Sequence, residues 1–135
     1  MKKNFTLIIA VLFLFLGSCT KEEGIGGTST ITGKVYVYNY NAELTNLRWE
    51  GYGISEDVYI IYGNDTIYSD RFWTNFDGSY RFQFLRQGTY TIFTYSKNLE
   101  NVGTNHTDIM IPVKKIVEIT ETNQVVIVND FYIIK

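Results

Sequence analysis

Two residues of this sequence are of the types that most often carry nucleophilic or metal-dependent chemistry, and each type occurs once. They are Cys19 and His106, in a chain of 135 residues. A catalytic triad needs a nucleophile and an imidazole that a third group orients, and a structural zinc site needs about four ligands. We therefore expect no Cys/His catalysis, no metal site, no cofactor and no internal disulfide. His106 is a general base by type alone, and its polar neighbours favour a solvated loop residue.

Carboxylates are the other candidates for catalysis, because two of them can act on a glycosidic bond when they lie roughly 5–9 Å apart. Glu56 and Asp57 are adjacent, and neighbouring residues of a strand point to opposite faces. Asp65, Asp70 and Asp77 lie near predicted turns or strand ends, where carboxylates commonly form turns. We assign no catalytic residue and predict that the chain is not an enzyme. A small carboxylate-based hydrolase is the least favoured alternative.

An aromatic segment, Leu47–Gly53, is the better candidate for recognition. It contains Arg48, Trp49 and Tyr52 together with two glycines. Aromatic faces stack on sugar rings or on the side chains of a protein partner, and nearby polar groups fix the orientation. Arg48, Trp49 and Tyr52 are therefore candidate ligand-binding residues. The alternative is that Trp49 caps one end of the core, since large aromatic side chains are highly buried on average.

A second set of aromatic residues is predicted on the outer faces of strands. Tyr36, Tyr38 and Tyr40 alternate with inward-facing valines, and the same parity places Phe93 and Tyr95 outward. An outward aromatic stripe is typical of a partner surface. The alternatives are that both faces of these strands are covered, or that the rings form ordinary cross-strand pairs.

The elements that must position these residues are short strands separated by turn residues. No segment after the first twenty residues has a sustained apolar period of 3.6, so we expect little helix. The sequence predicts an all-β, seven-stranded antiparallel Greek-key β-sandwich. The predicted strands are Thr30–Asn39, Asp57–Tyr62, Thr66–Trp73, Ser79–Leu85, Thr89–Ser96, Val113–Thr120 and Gln124–Ile134.

Alternation within these strands predicts the core. Tyr80, Phe82 and Phe84 share one face of their strand and are predicted to be buried. The same inward set includes Val35, Val37, Val58, Ile60, Tyr90 and Ile92.

Gly78 ends the turn Asn75-Phe76-Asp77-Gly78, where it supplies the positive φ that closes a hairpin.

Three segments also resemble carboxypeptidase regulatory-like, or transthyretin-like, domains. They are Ile31–Val35, Thr74–Phe82 and Leu85–Ile92, which resemble the opening strand, the central hairpin and the strand after it. The resemblance implies a transthyretin-like β-sandwich over residues 30–135 and informs the fold more than the chemistry. The insert Tyr40–Glu56 replaces the short link of that family. The family's hydrolase branch uses paired histidines, which this chain lacks.

The N-terminus has the features of a targeting signal. A basic start, Met1–Asn4, precedes an apolar run from Phe5 to Leu16. This run suits a secretory signal of roughly 7–15 apolar residues and is shorter than the about 20 of a membrane-spanning helix. The following Leu16-Gly17-Ser18-Cys19 resembles the cleavage motif of bacterial lipoproteins, which implies a signal peptide over residues 1–18 and acylation of Cys19. The alternative is an ordinary signal peptide in which Cys19 is incidental.

Residues 19–29 are predicted to form a lipidated, flexible tether, because Gly24–Ser29 is rich in glycine. Thr20–Glu23 resembles a surface-export tag of some Gram-negative lipoproteins, and a solvated charged tether is the alternative. Loss of residues 1–18 removes two lysines and changes the net charge from −2 to −4, which argues against a nucleic acid partner. The expected partner is a membrane, reached through the lipid on Cys19.

These observations predict a lipid-anchored protein of the cell envelope, in the outer membrane and exposed at the surface. It would act as a non-catalytic binding or structural accessory module for a glycan or an envelope protein. The alternative function is a small carbohydrate-binding module that uses the aromatic insert. Asp65-Thr66-Ile67 also resembles a bacterial O-glycosylation triplet, which makes Thr66 a candidate modification site.

Overall fold

The computed structural model of this chain describes residues 22–135, and Cys19 with the predicted signal peptide lies outside the described residues. Within this part the chain forms nine β-strands and one turn of 3-10 helix at Leu99–Asn101. The strands are β1 (Ile25–Tyr40), β2 (Leu47–Tyr52), β3 (Asp57–Tyr62), β4 (Asp70–Trp73), β5 (Ser79–Leu85), β6 (Gly88–Lys97), β7 (Met110–Ile119), β8 (Val125–Ile127) and β9 (Phe131–Ile134).

The first sheet is built around β1, which is long enough to pair with four other strands. Along one side, β5 and then β2 pair with β1 in the antiparallel direction. Along the other side, β8 and then β9 pair with it in the parallel direction. The second sheet is antiparallel and has the strand order β4-β3-β6-β7. β1 is therefore the central strand of the first sheet.

The core lies between the two sheets and consists of the side chains that alternate inward along their strands. Tyr80, Tyr90 and Phe131 are the largest of the fully buried side chains. The predicted inward residues Val35, Val37, Val58, Ile60, Phe82 and Ile92 are all part of this core. The all-β prediction is confirmed, and two sheets that enclose one core are the arrangement of a β-sandwich.

The strands differ from the predicted set of seven antiparallel ones. Part of the predicted insert forms the edge strand β2. The predicted strand Gln124–Ile134 is interrupted at residues 128–130 and forms β8 and β9, both parallel to β1. The predicted strand Thr66–Trp73 is shortened to Asp70–Trp73. Alternation reveals a strand but not its partner, because pairing also depends on where the connecting loops lead the chain.

Residues assigned to the flexible tether contribute to the first sheet. β1 begins at Ile25 rather than at Thr30. A Cβ atom at Gly27 would collide with the backbone carbonyl of Leu85, so the glycine allows a close backbone approach here. The glycine-rich composition therefore serves packing in this segment, where the sequence alone suggested mobility.

Phe84 departs from the predicted alternation. Its side chain is 64% exposed, whereas Leu85 is buried. The cause is local, because Phe84 has a φ of +60°, a left-handed conformation that interrupts the period of two. The grouping of Phe84 with Tyr80 and Phe82 in the core is therefore wrong.

Tyr80 provides a test of the core. Its ring is fully buried, and its Oη has no hydrogen-bond partner among residues 22–135. A buried hydroxyl without a partner costs about 1–3 kcal/mol. We therefore expect Tyr80→Phe to raise the free energy of unfolding by about 1 kcal/mol, measured by urea unfolding at pH 7. A clear loss of stability would contradict this account.

Tyr90→Phe is the matched control, because Tyr90 is equally buried but its Oη donates to the carbonyl of Arg86 (2.8 Å) and accepts from the amide of Gly24 (3.0 Å). The free energy of unfolding of this variant should fall by about 1–2 kcal/mol.

Burial raises the pKa of Tyr80 far above its usual value. Neutral Tyr80 therefore makes its full contribution to the free energy of unfolding below about pH 10. This contribution declines at higher pH, because tyrosine in the unfolded chain ionises there while Tyr80 in the folded protein stays neutral. Tyr80→Phe should reduce that alkaline decline.

Candidate functional site

The structure separates the three residues that the sequence grouped as a ligand site. Tyr52 pairs with Tyr36 on the outer face of the first sheet, whereas Trp49 pairs with Asn39 on the opposite face. Trp49 is half exposed and is absent from the buried cluster, so it does not cap the core. Arg48 is exposed at an irregularity of the β1–β2 pairing. Trp49 and Tyr52 therefore cannot form one patch.

Tyr52 instead joins a cluster of four tyrosines, Tyr36, Tyr38, Tyr52 and Tyr132, which we call the tyrosine face. Three adjacent strands position them, because Tyr36 of β1 lies opposite Tyr52 of β2 and Tyr132 of β9. The ring centroid of Tyr36 lies 5.3 Å from those of Tyr38 and Tyr52 and 5.8 Å from that of Tyr132. Such spacings are favourable for aromatic pairs. The predicted outward positions of Tyr36 and Tyr38 are confirmed.

Charged groups lie beside the tyrosine face and orient two of its hydroxyls, those of Tyr36 and Tyr52. Tyr52 Oη donates to Asp130 Oδ2 at 3.0 Å, and the Lys34 ammonium lies 4.7 Å from the centroid of the Tyr52 ring. The hydrogen bond to Asp130 and the charge of that carboxylate raise the pKa of Tyr52. Partial desolvation and the Glu50 carboxylate raise the pKa of Tyr36. Both hydroxyls therefore stay protonated near neutral pH and act as donors.

Sequence reasoning missed Tyr132 and Asp130 as members of this surface. Tyr132 is 59% exposed, while Phe131 and Ile133 on either side of it are buried. That alternation was visible in the C-terminal segment. What the sequence did not show is that this segment would pair parallel to β1 and place Tyr132 beside Tyr36.

The second sheet carries an aromatic cluster of its own. Phe93 is oriented outward as predicted but is 7% exposed, because Tyr59 stacks on it with centroids 4.9 Å apart. Tyr59 also contacts Tyr68 and Tyr95, at 4.9 and 5.8 Å. These rings form cross-strand pairs that cover one another. Tyr40, also predicted outward, is half-buried and donates its backbone N–H to the carbonyl of Lys135.

A cleft of about 330 Å³ opens where β3 begins and β6 ends. Its walls combine the rings of Tyr59 and Tyr95 with charged groups. This volume is at the lower end of the range for small-molecule sites, and aromatic walls with a few polar groups are typical of them. The lining residues are Glu56, Asp57, Tyr59, Thr94, Tyr95, Met110 and Lys135.

The two carboxylates of this cleft are each held by a cation. Glu56 forms an ion pair with Lys135, and its side chain is 12% exposed. Asp57 lies 3.5 Å from the Arg71 guanidinium. An acid/base pair needs two carboxylates that face the same bond, whereas these two are occupied by separate partners. Among residues 22–135, no group of His, Cys, Asp and Glu is arranged to hold a metal ion.

The remaining predicted residues lie on loops or outside the described part. His106 is exposed in the segment that joins the 3-10 turn to β7. Thr66 is exposed between β3 and β4. Cys19, the predicted lipidation site, precedes the described residues. In residues 22–135, no helix has the length and apolarity needed to cross a membrane.

Comparisons with known proteins give a distant structural likeness and no match in sequence. No protein-family model and no curated protein matches the chain. Among solved structures, the chain is similar to a Pseudomonas aeruginosa protein described as a "putative carbohydrate binding protein", with 16% identity and a TM-score of 0.48. The match covers 78% of this chain and 90% of that one. At this level, the likeness identifies neither a family nor a ligand for the chain.

Proposed function

We propose that this chain is a lipid-anchored protein of the cell envelope, held in the outer membrane through Cys19 and exposed at the cell surface. Its Greek-key, transthyretin-like sandwich acts as a non-catalytic binding module for another envelope protein. The observation that carries the proposal is the tyrosine face, which joins four tyrosines from three strands on one side of the first sheet.

The chemistry of this surface favours a protein partner. Tyrosine offers a large contact area at a low cost in side-chain entropy, and it is enriched where proteins meet. Tyr132 and Tyr52 remain 59% and 44% exposed although they contact other rings. The four rings extend over adjacent strands, and such a broad surface suits a protein better than a small ligand, which needs a concave site. Glu50 and Asp130 would fix the orientation of the partner.

Photo-crosslinking in intact cells tests this proposal. A photoreactive phenylalanine analogue in place of Tyr132 should crosslink to one discrete envelope protein. Adding Tyr52→Ala should reduce that product at least about tenfold, because truncating a tyrosine that is a hot spot of an interface costs about 2 kcal/mol or more. The matched control is the same analogue in place of Ile116, which is 77% exposed on β7 of the second sheet. Equal products from both positions, or no effect of Tyr52→Ala, would contradict the proposal.

The aromatic cleft favours a second candidate function, the binding of a saccharide. Tyr59 and Tyr95 offer ring surfaces, and Glu56, Asp57 and Lys135 offer hydrogen-bonding groups. On a glycan array, Tyr95→Ala should abolish binding if the cleft is the site. If Trp49→Ala abolishes binding and Tyr95→Ala does not, the saccharide site lies in the aromatic insert instead. Glycan cleavage that Glu56→Gln abolishes would support a hydrolase instead.

Thr66 remains a candidate for O-glycosylation, and its exposed position leaves the hydroxyl accessible. We expect the mature protein to carry extra mass that the Thr66→Val variant lacks. Intact-mass spectrometry of protein from its native host measures this difference. Equal masses, after correction for the substitution, would mean that Thr66 is unmodified.

A further inference from the structure

We propose that the domain stands end-on on the membrane and meets the lipid through the end formed by residues 22–25, 63–69, 84–88 and 120–124. We call this the N-terminal end. The inference rests on the proposed acylation of Cys19 and extends it, because it specifies which surface contacts lipid and which surfaces point away.

The first described residues are fastened to the core at this end. The amide of Gly24 donates to Tyr90 Oη at 3.0 Å, and the carbonyl of Gly24 accepts from the amide of Arg86 at 2.9 Å. Tyr90 is fully buried, so these bonds tie Gly24 to the core. The Glu23 carboxylate accepts from the amide of Thr89 at 3.4 Å. The chain is therefore part of the folded domain from about residue 23 onward.

The length of chain before this attachment limits the distance between the domain and the lipid. Two residues, Thr20 and Lys21, separate Cys19 from Glu22, so three steps of fully extended chain, at most about 3.3–3.6 Å each, span roughly 11 Å in total. β6 contains 10 residues and runs away from this end, so its far end is about 30 Å distant. An acylated Cys19 therefore keeps the N-terminal end close to the membrane.

The N-terminal end also exposes apolar side chains from three separate segments. Ile25 at the start of β1, Ile67 between β3 and β4, and Phe84 near the end of β5 are 60%, 73% and 64% exposed. The φ of +60° at Phe84 places its ring outward, in a conformation that costs free energy for a residue with a Cβ atom. A lipid interface would provide these side chains with an apolar environment.

The charge of this end favours an attachment that depends on the anchor. Glu22, Glu23, Asp65 and Glu121 belong to its segments, and Arg86 is the basic residue beside them. Anionic headgroups would repel such a surface, so neutral lipid is the appropriate probe. In this orientation the cleft with Tyr95 and Lys135 lies at the opposite end and is open to the surroundings.

Tryptophan quenching by brominated lipid tests the orientation. In a background with Trp49→Phe and Trp73→Phe, the variants Phe84→Trp and Phe76→Trp place one tryptophan at either end of β5. The acylated proteins are reconstituted into phosphatidylcholine vesicles with brominated acyl chains. We expect emission from position 84 to fall by roughly half or more, because interfacial side chains enter the boundary of the acyl chains. Emission from position 76 should change little.

The outcomes distinguish this inference from the proposal on which it rests. Intact mass is measured first, and a chain without acyl groups would overturn both. Acylated protein on vesicles with equal quenching at both positions, or stronger quenching at 76, would overturn the orientation alone. A flexible insertion of about 15 Gly/Ser residues between Lys21 and Glu22 would add roughly 20 Å of mean reach. Quenching at 84 should weaken with this insertion, and quenching at full strength would overturn the argument from chain length.

Discussion

Gly78→Ala is expected to destabilise the domain by about 2–5 kcal/mol. Gly78 has a φ of +73°, a left-handed conformation that costs a residue with a Cβ atom about 1–2 kcal/mol. The new Cβ would also lie 2.9 Å from the carbonyl oxygen of Val35 and 2.8 Å from Tyr52 Cβ. The shifts in side chains or backbone that make room for this Cβ would lower the free energy of unfolding by about 1–3 kcal/mol more. Urea unfolding followed by tryptophan fluorescence measures the sum, and a loss below about 1 kcal/mol would contradict the geometry.

Gly103→Ala separates the two contributions. Gly103 has a φ of +77°, but apart from its two neighbours in the chain no heavy atom of residues 22–135 lies within 4 Å of the position that its Cβ would take. This variant should therefore lose only the conformational part, about 1–2 kcal/mol. Equal losses at both glycines would show that the contacts with Val35 and Tyr52 contribute nothing.

The same turn supports the proposed binding surface. Because the Cβ of Tyr52 lies beside Gly78, displacement of Tyr52 is one way to relieve the contact. Gly78→Ala should therefore also weaken crosslinking from position 132 under conditions where the protein is still folded. Gly103→Ala should leave that crosslinking unchanged.

Cys19→Ala is expected to remove the mature, membrane-bound protein almost completely. Under the proposed function, acyl chains on Cys19 hold the protein, and two or more chains give stable attachment where one does not. The variant should appear either as an unprocessed precursor that retains residues 1–18 or as a soluble, unacylated chain. Cell fractionation with intact-mass analysis distinguishes these forms. Protein of mature size that still fractionates with membranes would refute the anchor.

The folded domain provides the control for this experiment. Cys19 lies before the first described residue, and the core is built from residues 31–133. The variant should therefore unfold at the same urea concentration as the acylated protein in detergent. A lower midpoint would mean that Cys19 contributes to the fold, which would confound its use as a test of anchoring.

Local sequence signals predicted local structure well. The turn before Gly78 is present, and the Gly78 amide donates to the carbonyl of Asn75 at 2.9 Å. Side chains that alternate along one strand, such as Val35 and Val37, are buried as predicted. These features depend on residues close in the chain, so the sequence contains the necessary information.

The candidate site was only partly visible in the sequence. The outward positions of Tyr36 and Tyr38 follow from alternation along β1. The grouping of Trp49 with Tyr52 fails, because an interval of three residues in a strand reverses the face. Tyr132 enters the surface only through the parallel pairing of β9 with β1, across about 95 residues of sequence.

The amino-acid sequence alone indicated that the domain is all-β, which faces of its strands are apolar, and where its tight turns form. Tertiary structure decided which strands are neighbours, and therefore that the tyrosines of β1, β2 and β9 form one surface. It also decided that the glycine-rich N-terminal segment packs against the domain. The physical reason is that alternation and turn geometry act between neighbours in the chain, whereas strand partners are selected by the packing of the whole core.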